Sequence, residues 1–212
     1  MQNIGAIILA AGQSSRFGQV KQLVHLGNKP LFLYSVELAL ELNLKPIIIV
    51  GNEKTNEINK IVSNLKVTYI ENKNYQKGMS TSLREGIMAL KIKKPRPKAV
   101  MVFLADQPFI PIDVLRKVYE TYEMQYAKGI RIVRPSYQGE IGHPVLFDSS
   151  VFNDLTKIEG DQGARKIIKS NSEIVAVIDF KLKEWNLDID KPEDYEHAEQ
   201  YLKNCGNRVK DL

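Results

Sequence analysis

A short apolar run at residues 4–9 ends abruptly in a loop of small residues that carries two cations. From Ile7 to Lys21 the chain reads IILAAGQSSRFGQVK. Consecutive backbone N–H groups in such a loop can surround an anion, and Arg16 and Lys21 can neutralise phosphate charge. The pattern predicts a buried strand that leads into a triphosphate-binding turn. A turn that uses small residues only for steric reasons is the alternative.

The glycine spacing in this loop excludes two common nucleotide-binding folds. Gly12 and Gly18 lie six residues apart. The loop has neither the G-x-x-x-x-G-K-[ST] order of a P-loop nor the three glycines of the dinucleotide fingerprint. If this loop binds a nucleotide, the protein therefore has a nucleotide-binding fold other than these two.

Strand-like and helix-like segments alternate through the first half of the chain. Apolar runs typical of strands occur at residues 4–9, 46–50, 66–70, 99–104, 131–134, 144–147 and 174–178. Helical spacing of apolar residues occurs at 31–42, 53–65, 79–90, 112–128, 163–169 and 192–202. This alternation predicts an α/β fold with three layers and a mostly parallel, mixed sheet, whose less regular second half is inserted or antiparallel. We expect one domain over residues 1–205 and a polar tail over 206–212.

Composition and charge limit the partners of the chain. Hydrophobic residues make up 43% and charged residues 26% of the 212, which is ordinary for a globular protein. The net charge of +5 suits an anionic ligand, but the lysines are scattered, so no nucleic acid partner is expected. The chain has one cysteine and neither a leader-like segment nor an apolar run long enough to cross a bilayer. These features predict a cytoplasmic protein with no membrane association.

Chemistry is expected at one edge of the sheet. Ligands of open parallel sheets bind beyond the carboxyl ends of the strands. That edge gathers residues 10–21, 51–52, 72–79 and 105–109. Asp106 directly follows an apolar run, which favours a divalent-cation ligand, although Asp is also a good helix N-cap.

A second acidic cluster, at residues 188–194, precedes the last helix-like segment. Asp190 is predicted either to complete the cation site or to cap that helix. In an extended segment we expect Asp188 to point to the opposite side. Mg²⁺ often takes only one or two protein carboxylates, with phosphate and water as its other ligands.

Three further side chains are candidates for substrate binding, and the first lies in a segment that could hold either a base edge or an acidic group. Ser80 lies in the segment Gly78–Arg84, which opens a helix with hydroxyls and free N–H groups, and its alternative role is N-capping. His143 sits in a Gly-His-Pro turn, where a purely structural role is the alternative. Arg165 follows a glycine-flanked turn suited to acidic substrate groups, and helix capping by Asp161 is the alternative.

Taken together, the motifs resemble those of a known family. The chain is similar to the molybdenum cofactor cytidylyltransferases, within the nucleotidyltransferases that resemble molybdopterin guanylyltransferases. Six segments carry the resemblance, in this order: LAAGQSSRFGQVKQL, GMSTSLREGI, LADQPF, GHPVLF, GDQGAR and DIDKPEDY. It implies a Rossmann-like nucleotidyltransferase fold, and transfer of CMP from CTP to a molybdenum–molybdopterin cofactor with release of diphosphate. Another NTP as donor would transfer its own nucleoside monophosphate.

The resemblance also assigns roles position by position. It implies that Arg16, Lys21 and Asp106 are catalytic and that Asp106 and Asp190 are the ligands of Mg²⁺. The implied nucleotide site comprises Leu9, Ala10, Ala11, Gly12, Ser14, Arg16, Lys21, Gly78, Ser82 and Asp106. The acceptor site is expected at Ser80, His143 and Arg165. Val20 and Lys191 depart from the commoner family residues, and Val20 weakens any inference about the base from this loop.

Other readings of the same residues remain open. The scaffold also suits GTP as donor, or a sugar or polyol phosphate as acceptor. A non-catalytic carrier of the molybdenum cofactor is a further alternative, which the cations and carboxylates disfavour. The resemblance suggests that the product passes to an apoenzyme of the xanthine dehydrogenase type or to its chaperone.

Overall fold

The computed structural model describes residues 3–161 and 163–208, with side chains up to residue 204. A single mixed sheet forms the centre of this part of the chain. Within the described residues the strands are β1 (Ile4–Leu9), β2 (His25–Leu26), β3 (Lys29–Pro30), β4 (Ile47–Gly51), β5 (Thr68–Glu71), β6 (Ala99–Leu104), β7 (Ile132–Tyr137), β8 (Glu140–Ile141), β9 (Val145–Asp148) and β10 (Val175–Phe180).

Helices of very different length connect the strands. In the same part of the chain they are α1 (Leu31–Glu41), α2 (Glu57–Ile61), α3 (Met79–Lys91), α4 (Ile112–Gln125), α5 (Phe152–Leu155), α6 (Arg165–Ser170) and α7 (Pro192–Arg208). None of the described helices is both long enough and apolar enough to span a bilayer.

The strand order of the sheet confirms the predicted α/β class. The strands run β10-β7-β9-β6-β1-β4-β5, with β8 paired to β7. Strands β5, β4, β1 and β6 are parallel, whereas β9 is antiparallel to both β6 and β7. The parallel half thus carries the regular βα repeats, and the antiparallel strand β9 marks the irregular second half that the sequence predicted.

The two faces of the sheet are covered by different helices. Successive side chains of a strand point to opposite faces. Ile4, Ala6 and Ile8 of β1 accordingly pack with α1, α2 and α4, while Ile7 packs with α3 and α5. A smaller cluster joins Ile189 to Ala198 of α7, so that the last helix anchors the acidic segment before it.

Several elements differ from the predicted ones. The helix predicted over 53–65 is a single 3₁₀ turn, Glu53–Thr55, followed by the short helix α2. Asn52 caps the start of this 3₁₀ turn, since its side chain accepts hydrogen bonds from the N–H groups of Lys54 and Thr55. The short elements β2, β3, β8 and α5 were not predicted, since two- to four-residue elements have no readable periodicity.

The predicted domain limit at residue 205 falls within the last helix. Helix α7 continues to Arg208. Residues 209–212 of the predicted tail lie outside the described residues.

Candidate active site

The strand ends bring the predicted loop and the predicted carboxylate together. Leu9, the last residue of β1, is in register with Val50 of β4 and Leu104 of β6. The glycine loop and Asp106 therefore leave the sheet at the same level, from adjacent strands. Asp190 reaches this edge because the N–H of Ile189 donates to the carbonyl of Asp106 (3.1 Å).

The loop after β1 is held in shape by its own side chains. Ser14 adopts a left-handed conformation (φ 54°), and its hydroxyl accepts a hydrogen bond from the N–H of Lys21 (3.2 Å). Gln22 donates to the carbonyl of Gly12 (3.1 Å), and Asn52 donates to that of Ala11 (2.9 Å). Within the described residues, the N–H groups of 11–16 donate no hydrogen bond. A row of unused donors of this kind is suited to an anion.

Lys21 lies at the centre of the site. Its side chain is almost fully buried, and its Nζ donates to Oδ2 of Asp106 (2.6 Å) and to Oδ1 of Asp190 (2.5 Å). The exposed guanidinium of Arg16 binds the other oxygen of Asp190 (2.8 Å). Four residues from three distant parts of the sequence thus form one charged network.

The network shifts the pKa values of Lys21 and Asp190. Burial favours the neutral form of Lys21, but the charge and hydrogen bond of Asp106, with those of Asp190, outweigh it and raise the pKa of the ammonium. Burial opposes ionisation of Asp190 in the same way, and the hydrogen bond and charge of Lys21, with Arg16, lower the pKa of this carboxyl. These groups stay charged at neutral pH.

The alternative roles of the two aspartates as helix caps are not what the structure shows. Asp106 is followed by an irregular segment, and α4 begins only after Pro111. At α7 it is Asp194 whose carboxylate accepts from the N–H groups of Asp190 and Lys191 (both 2.9 Å). The carboxylate of Asp190 is left to face Lys21 and Arg16.

The prediction that Asp188 points away from the site is wrong. In an extended segment residues two apart share a side, so the buried Ile189 points inward and both aspartates face the cleft. Asp188 accepts a hydrogen bond from Gln107 (2.8 Å). Although water reaches the carboxyl group, the surrounding protein desolvates it, and together with the charge of Asp106 this raises its pKa to about 6.

A cleft with two lobes opens at this edge of the sheet. The large lobe has a volume of about 420 Å³ and is lined by the loop at 12–16, by the acidic residues and by basic side chains from the second half of the chain. The small lobe has a volume of about 280 Å³. Its wall includes Ala11, Gln22, Tyr75, Gly78 and Ser82. Leu9, Gly12, Met79 and Asp106 lie between the lobes and line both.

Most, but not all, of the predicted nucleotide-site residues line the cleft. Ala10 is fully buried and lines neither lobe. Ser80, predicted to bind the acceptor, is also fully buried, and its hydroxyl has no hydrogen-bond partner among the described residues. It is neither a cap nor a cleft residue. Helical rotation places Ser82 on the cleft instead, where it accepts a hydrogen bond from Asn72 (2.9 Å).

The other two predicted acceptor residues line the large lobe with an arginine that was not predicted. His143 and Arg165 meet Arg134, which comes from β7. The sequence did carry a signal for Arg134, because a charged residue interrupts the apolar strand run Ile132–Val133. Gln107 was also missed, since a buried glutamine in a loop has no distinctive sequence pattern.

The carboxylates of Asp106 and Asp190, on the acidic side of the cleft, suit a hard divalent cation. Oδ1 of Asp106 is buried and has no hydrogen-bond partner within the described residues. Among those residues no group of three or more acidic, His or Cys side chains forms a metal cluster. A cation here would rest on the oxygens of Asp106 and Asp190 and on ligand or water oxygens, a donor set that Mg²⁺ accepts.

The fold and the site define a nucleotidyltransferase. A model of the MobA-like NTP transferase domain matches residues 6–175. The chain belongs to this family, and its substrate is accordingly a nucleotide.

Relatives extend over most of the chain. The purine catabolism protein PucB of Bacillus subtilis is 26% identical over 198 residues, which cover 90% of this chain and 93% of that protein. The molybdenum cofactor cytidylyltransferase of Escherichia coli is 25% identical over 201 residues, covering 94% and 97%. A nucleotidyl transferase structure from Methanothermobacter superposes with a TM-score of 0.78 at 17% identity, covering 97% and 100% of the two chains. This last similarity supports the Rossmann-like nucleotidyltransferase fold.

Proposed function

We propose that this protein transfers CMP from CTP to a molybdenum–molybdopterin cofactor, with release of diphosphate and with Mg²⁺ as cofactor. The observation that carries the proposal is the contact of one buried ammonium, on Lys21, with both Asp106 and Asp190 beside a loop of unused N–H donors. Cytidylyl transfer to this acceptor is the activity named for the Escherichia coli relative. The sequence motifs shared with that family support the same choice.

In this proposal the nucleotide spans the boundary between the lobes. The base and ribose occupy the small lobe, against Tyr75, Gly78 and Ser82. The triphosphate lies along the loop, where the N–H groups of residues 11–16 can donate to its oxygens. The acceptor then has the large lobe, whose volume lies in the usual range for a small-molecule site.

The reaction is an in-line substitution at the α-phosphorus. An oxygen of the acceptor's terminal phosphate forms the new P–O bond, and the bond to the diphosphate breaks as that group leaves. Arg16 and Lys21 donate to the departing diphosphate and offset its growing charge. Asp106 and Asp190 hold Lys21 in place and would hold Mg²⁺, which when bound neutralises phosphate oxygens. No covalent enzyme intermediate is needed.

The test is product analysis with each nucleotide. The protein is incubated with Mg²⁺, molybdenum-loaded cofactor and CTP, GTP, ATP or UTP in turn, and diphosphate and nucleotide products are measured. We expect diphosphate and a CMP-linked cofactor from CTP only, and Asp106→Ala to abolish both while the far-UV circular dichroism stays unchanged.

Other outcomes identify the alternatives. Turnover with GTP would show that the donor is GTP and not CTP. Turnover with a sugar or polyol phosphate would show that this compound, and not the molybdenum cofactor, is the acceptor. Binding of cofactor and CTP without any diphosphate would indicate a carrier. Delivery of the product to a xanthine dehydrogenase-type apoenzyme or its chaperone belongs to the same proposal and rests on the family resemblance.

A further inference from the structure

The mechanism above leaves the basic wall of the large lobe unused. This wall consists of Arg134, His143 and Arg165. Arg134 projects from the middle of β7, in the row of residues that includes Ile132, whose own side chain is buried beneath the lobe. It is a half-buried cation in a strand that is otherwise apolar at this point, which is costly unless a partner offsets its charge.

That partner is missing from the described part of the protein. Nε of Arg134 is enclosed and has no hydrogen-bond partner there. Neither Arg134 nor Arg165 forms an ion pair with any described carboxylate. Buried polar groups in native proteins are almost always satisfied, so an unpaired guanidinium that faces a cleft points to a ligand.

The electrostatics of the wall show which kind of ligand fits. Burial, helped by the charge of Arg165, lowers the pKa of Arg134 to about 10, which still leaves it cationic. Burial and both arginines lower the pKa of His143 to about 3, so its imidazole is neutral at physiological pH. The wall therefore offers two positive charges and one neutral hydrogen-bonding group. A doubly charged anion complements this set.

We propose that Arg134 and Arg165 bind the terminal phosphate of the acceptor, a phosphomonoester dianion, with His143 as a neutral hydrogen-bonding partner. The proposal rests on the proposed function, because it takes the large lobe as the acceptor's place. Guanidinium groups match phosphate with paired N–H donors. The carboxylates of Asp106, Asp188 and Asp190, which line the same lobe, repel an anion and so favour its binding at the arginines.

The test compares a phosphorylated ligand with its dephosphorylated form. Binding of molybdopterin and of dephosphorylated molybdopterin is measured without nucleotide, by equilibrium ultrafiltration, for wild type, Arg134→Gln and Arg165→Gln. Arg116→Gln, which alters an exposed arginine of α4, is the matched control. Each cleft substitution is expected to weaken molybdopterin binding about ten- to hundredfold, since it removes hydrogen bonds between charged groups. Binding of the dephosphorylated form and of CTP should stay unchanged.

A second probe separates this proposal from the proposed function. Inorganic phosphate binding is measured on the same proteins. If molybdopterin is not a ligand but Arg134→Gln weakens phosphate binding, the anion site stands and the pterin assignment fails. Four results would overturn the proposal. In the first, molybdopterin and phosphate binding are unchanged in both variants, and in the second, dephosphorylated molybdopterin loses as much affinity as molybdopterin does. In the third, only CTP binding is weakened, and in the fourth, wild type binds neither molybdopterin nor phosphate. Arg165 is exposed, so Arg165→Gln carries the test even where Arg134→Gln does not fold.

Discussion

At the scale of single residues, Lys21 joins the charged groups of the site. Its ammonium holds two carboxylates together that would otherwise repel each other, and its own charge is kept by them. The sequence predicted that Lys21, Asp106 and Asp190 meet, because each follows or precedes a recognisable element. It did not predict that Lys21 binds both carboxylates at once, since the packing of a side chain between two loops leaves no trace in local sequence.

Lys21→Met tests this view. Without the ammonium, diphosphate release is expected to fall about 10²- to 10³-fold, because a cation that offsets transition-state charge is lost. The free energy of unfolding should fall by about 1–3 kcal/mol, since Asp106 and Asp190 lose the cation between them and only Asp190 keeps a partner, the exposed Arg16. The partial exposure of Asp190 reduces the cost. Adding Mg²⁺ should restore more stability to the variant than to wild type.

The measurements are diphosphate release and urea denaturation with and without Mg²⁺. Lys117→Met, on the exposed face of α4, removes the same charge far from the cleft and should change neither. Turnover of Lys21→Met close to that of wild type would contradict the assigned role.

His143 makes a separate prediction about pH. Its pKa in the folded protein is about 3, below the ordinary 6.5. Between these values the unfolded chain binds a proton at His143 that the folded protein does not, so His143 should lower the free energy of unfolding as the pH falls below 6.5. Asp188, whose pKa is raised to about 6, acts in the opposite direction and is the same in the variant.

Denaturation at pH 7 and pH 5 measures the effect. The loss of stability between the two pH values should be smaller in His143→Gln than in wild type, whereas His197→Gln, on the exposed side of α7, should behave as wild type does. An unchanged pH dependence in His143→Gln would show that the folded protein does not exclude the proton.

At the scale of elements, the boundary between the lobes depends on how α3 begins. Gly78 has a left-handed conformation (φ 107°), and a Cβ there would lie 2.5 Å from Oδ1 of Asp161 and from the carbonyl carbon of Gly160. The N–H of Ser80 donates to the carbonyl of Gly160 (3.2 Å). The start of α3 is thus packed directly against the loop that precedes α6.

Gly78→Ala should separate these two elements. It is expected to cost more stability than Gly129→Ala, because Gly129 has a similar φ of 93° but open space at the Cβ position. Backbone strain accounts for about 1–2 kcal/mol at Gly129, where ψ is 0°, and for about 1–3 kcal/mol at Gly78, whose ψ of 168° is nearly confined to glycine; the clash at Gly78 adds to it. Urea denaturation compares the two variants, and CTP affinity should fall only in Gly78→Ala. Equal stability losses would mean that the contact is not tightly packed.

The elements themselves were largely predictable. The strands β1 and β6 begin and end where the apolar runs do, since long buried runs leave a clear pattern. The helix after β4 was predicted too long, because apolar spacing does not distinguish one continuous helix from a 3₁₀ turn followed by a helix of five residues. The prediction for Asp188 was wrong because residues two apart in an extended segment lie on the same side. Correctly applied, this rule places Asp188 on the cleft together with Asp190.

At the scale of the whole molecule, one cleft is lined by both an acidic and a basic group of side chains. The parallel half of the sheet supplies the loop and Asp106, and the segment before α7 supplies Asp190 and Asp188. The antiparallel half supplies Arg134 and His143 through β7 and the turn before β9. The fold therefore places the glycine loop and the acidic residues in the same cleft as the basic residues. Sequence motifs predicted the loop, Asp106, Asp190, His143 and Arg165, whereas Arg134 was missed, because its place in the cleft depends on the long-range pairing of β7.

The central claim is that Asp106 and Asp190 together hold a divalent cation against the triphosphate. Mn²⁺, which is visible by electron paramagnetic resonance, can be titrated into the protein with a non-hydrolysable CTP analogue. Wild type should bind Mn²⁺, and Asp106→Asn and Asp190→Asn should each weaken that binding by at least about tenfold, since each removes one of two charged oxygen ligands. Asp113→Asn, on the surface of α4, should leave it unchanged. Wild-type affinity for Mn²⁺ in both cleft variants would contradict the account.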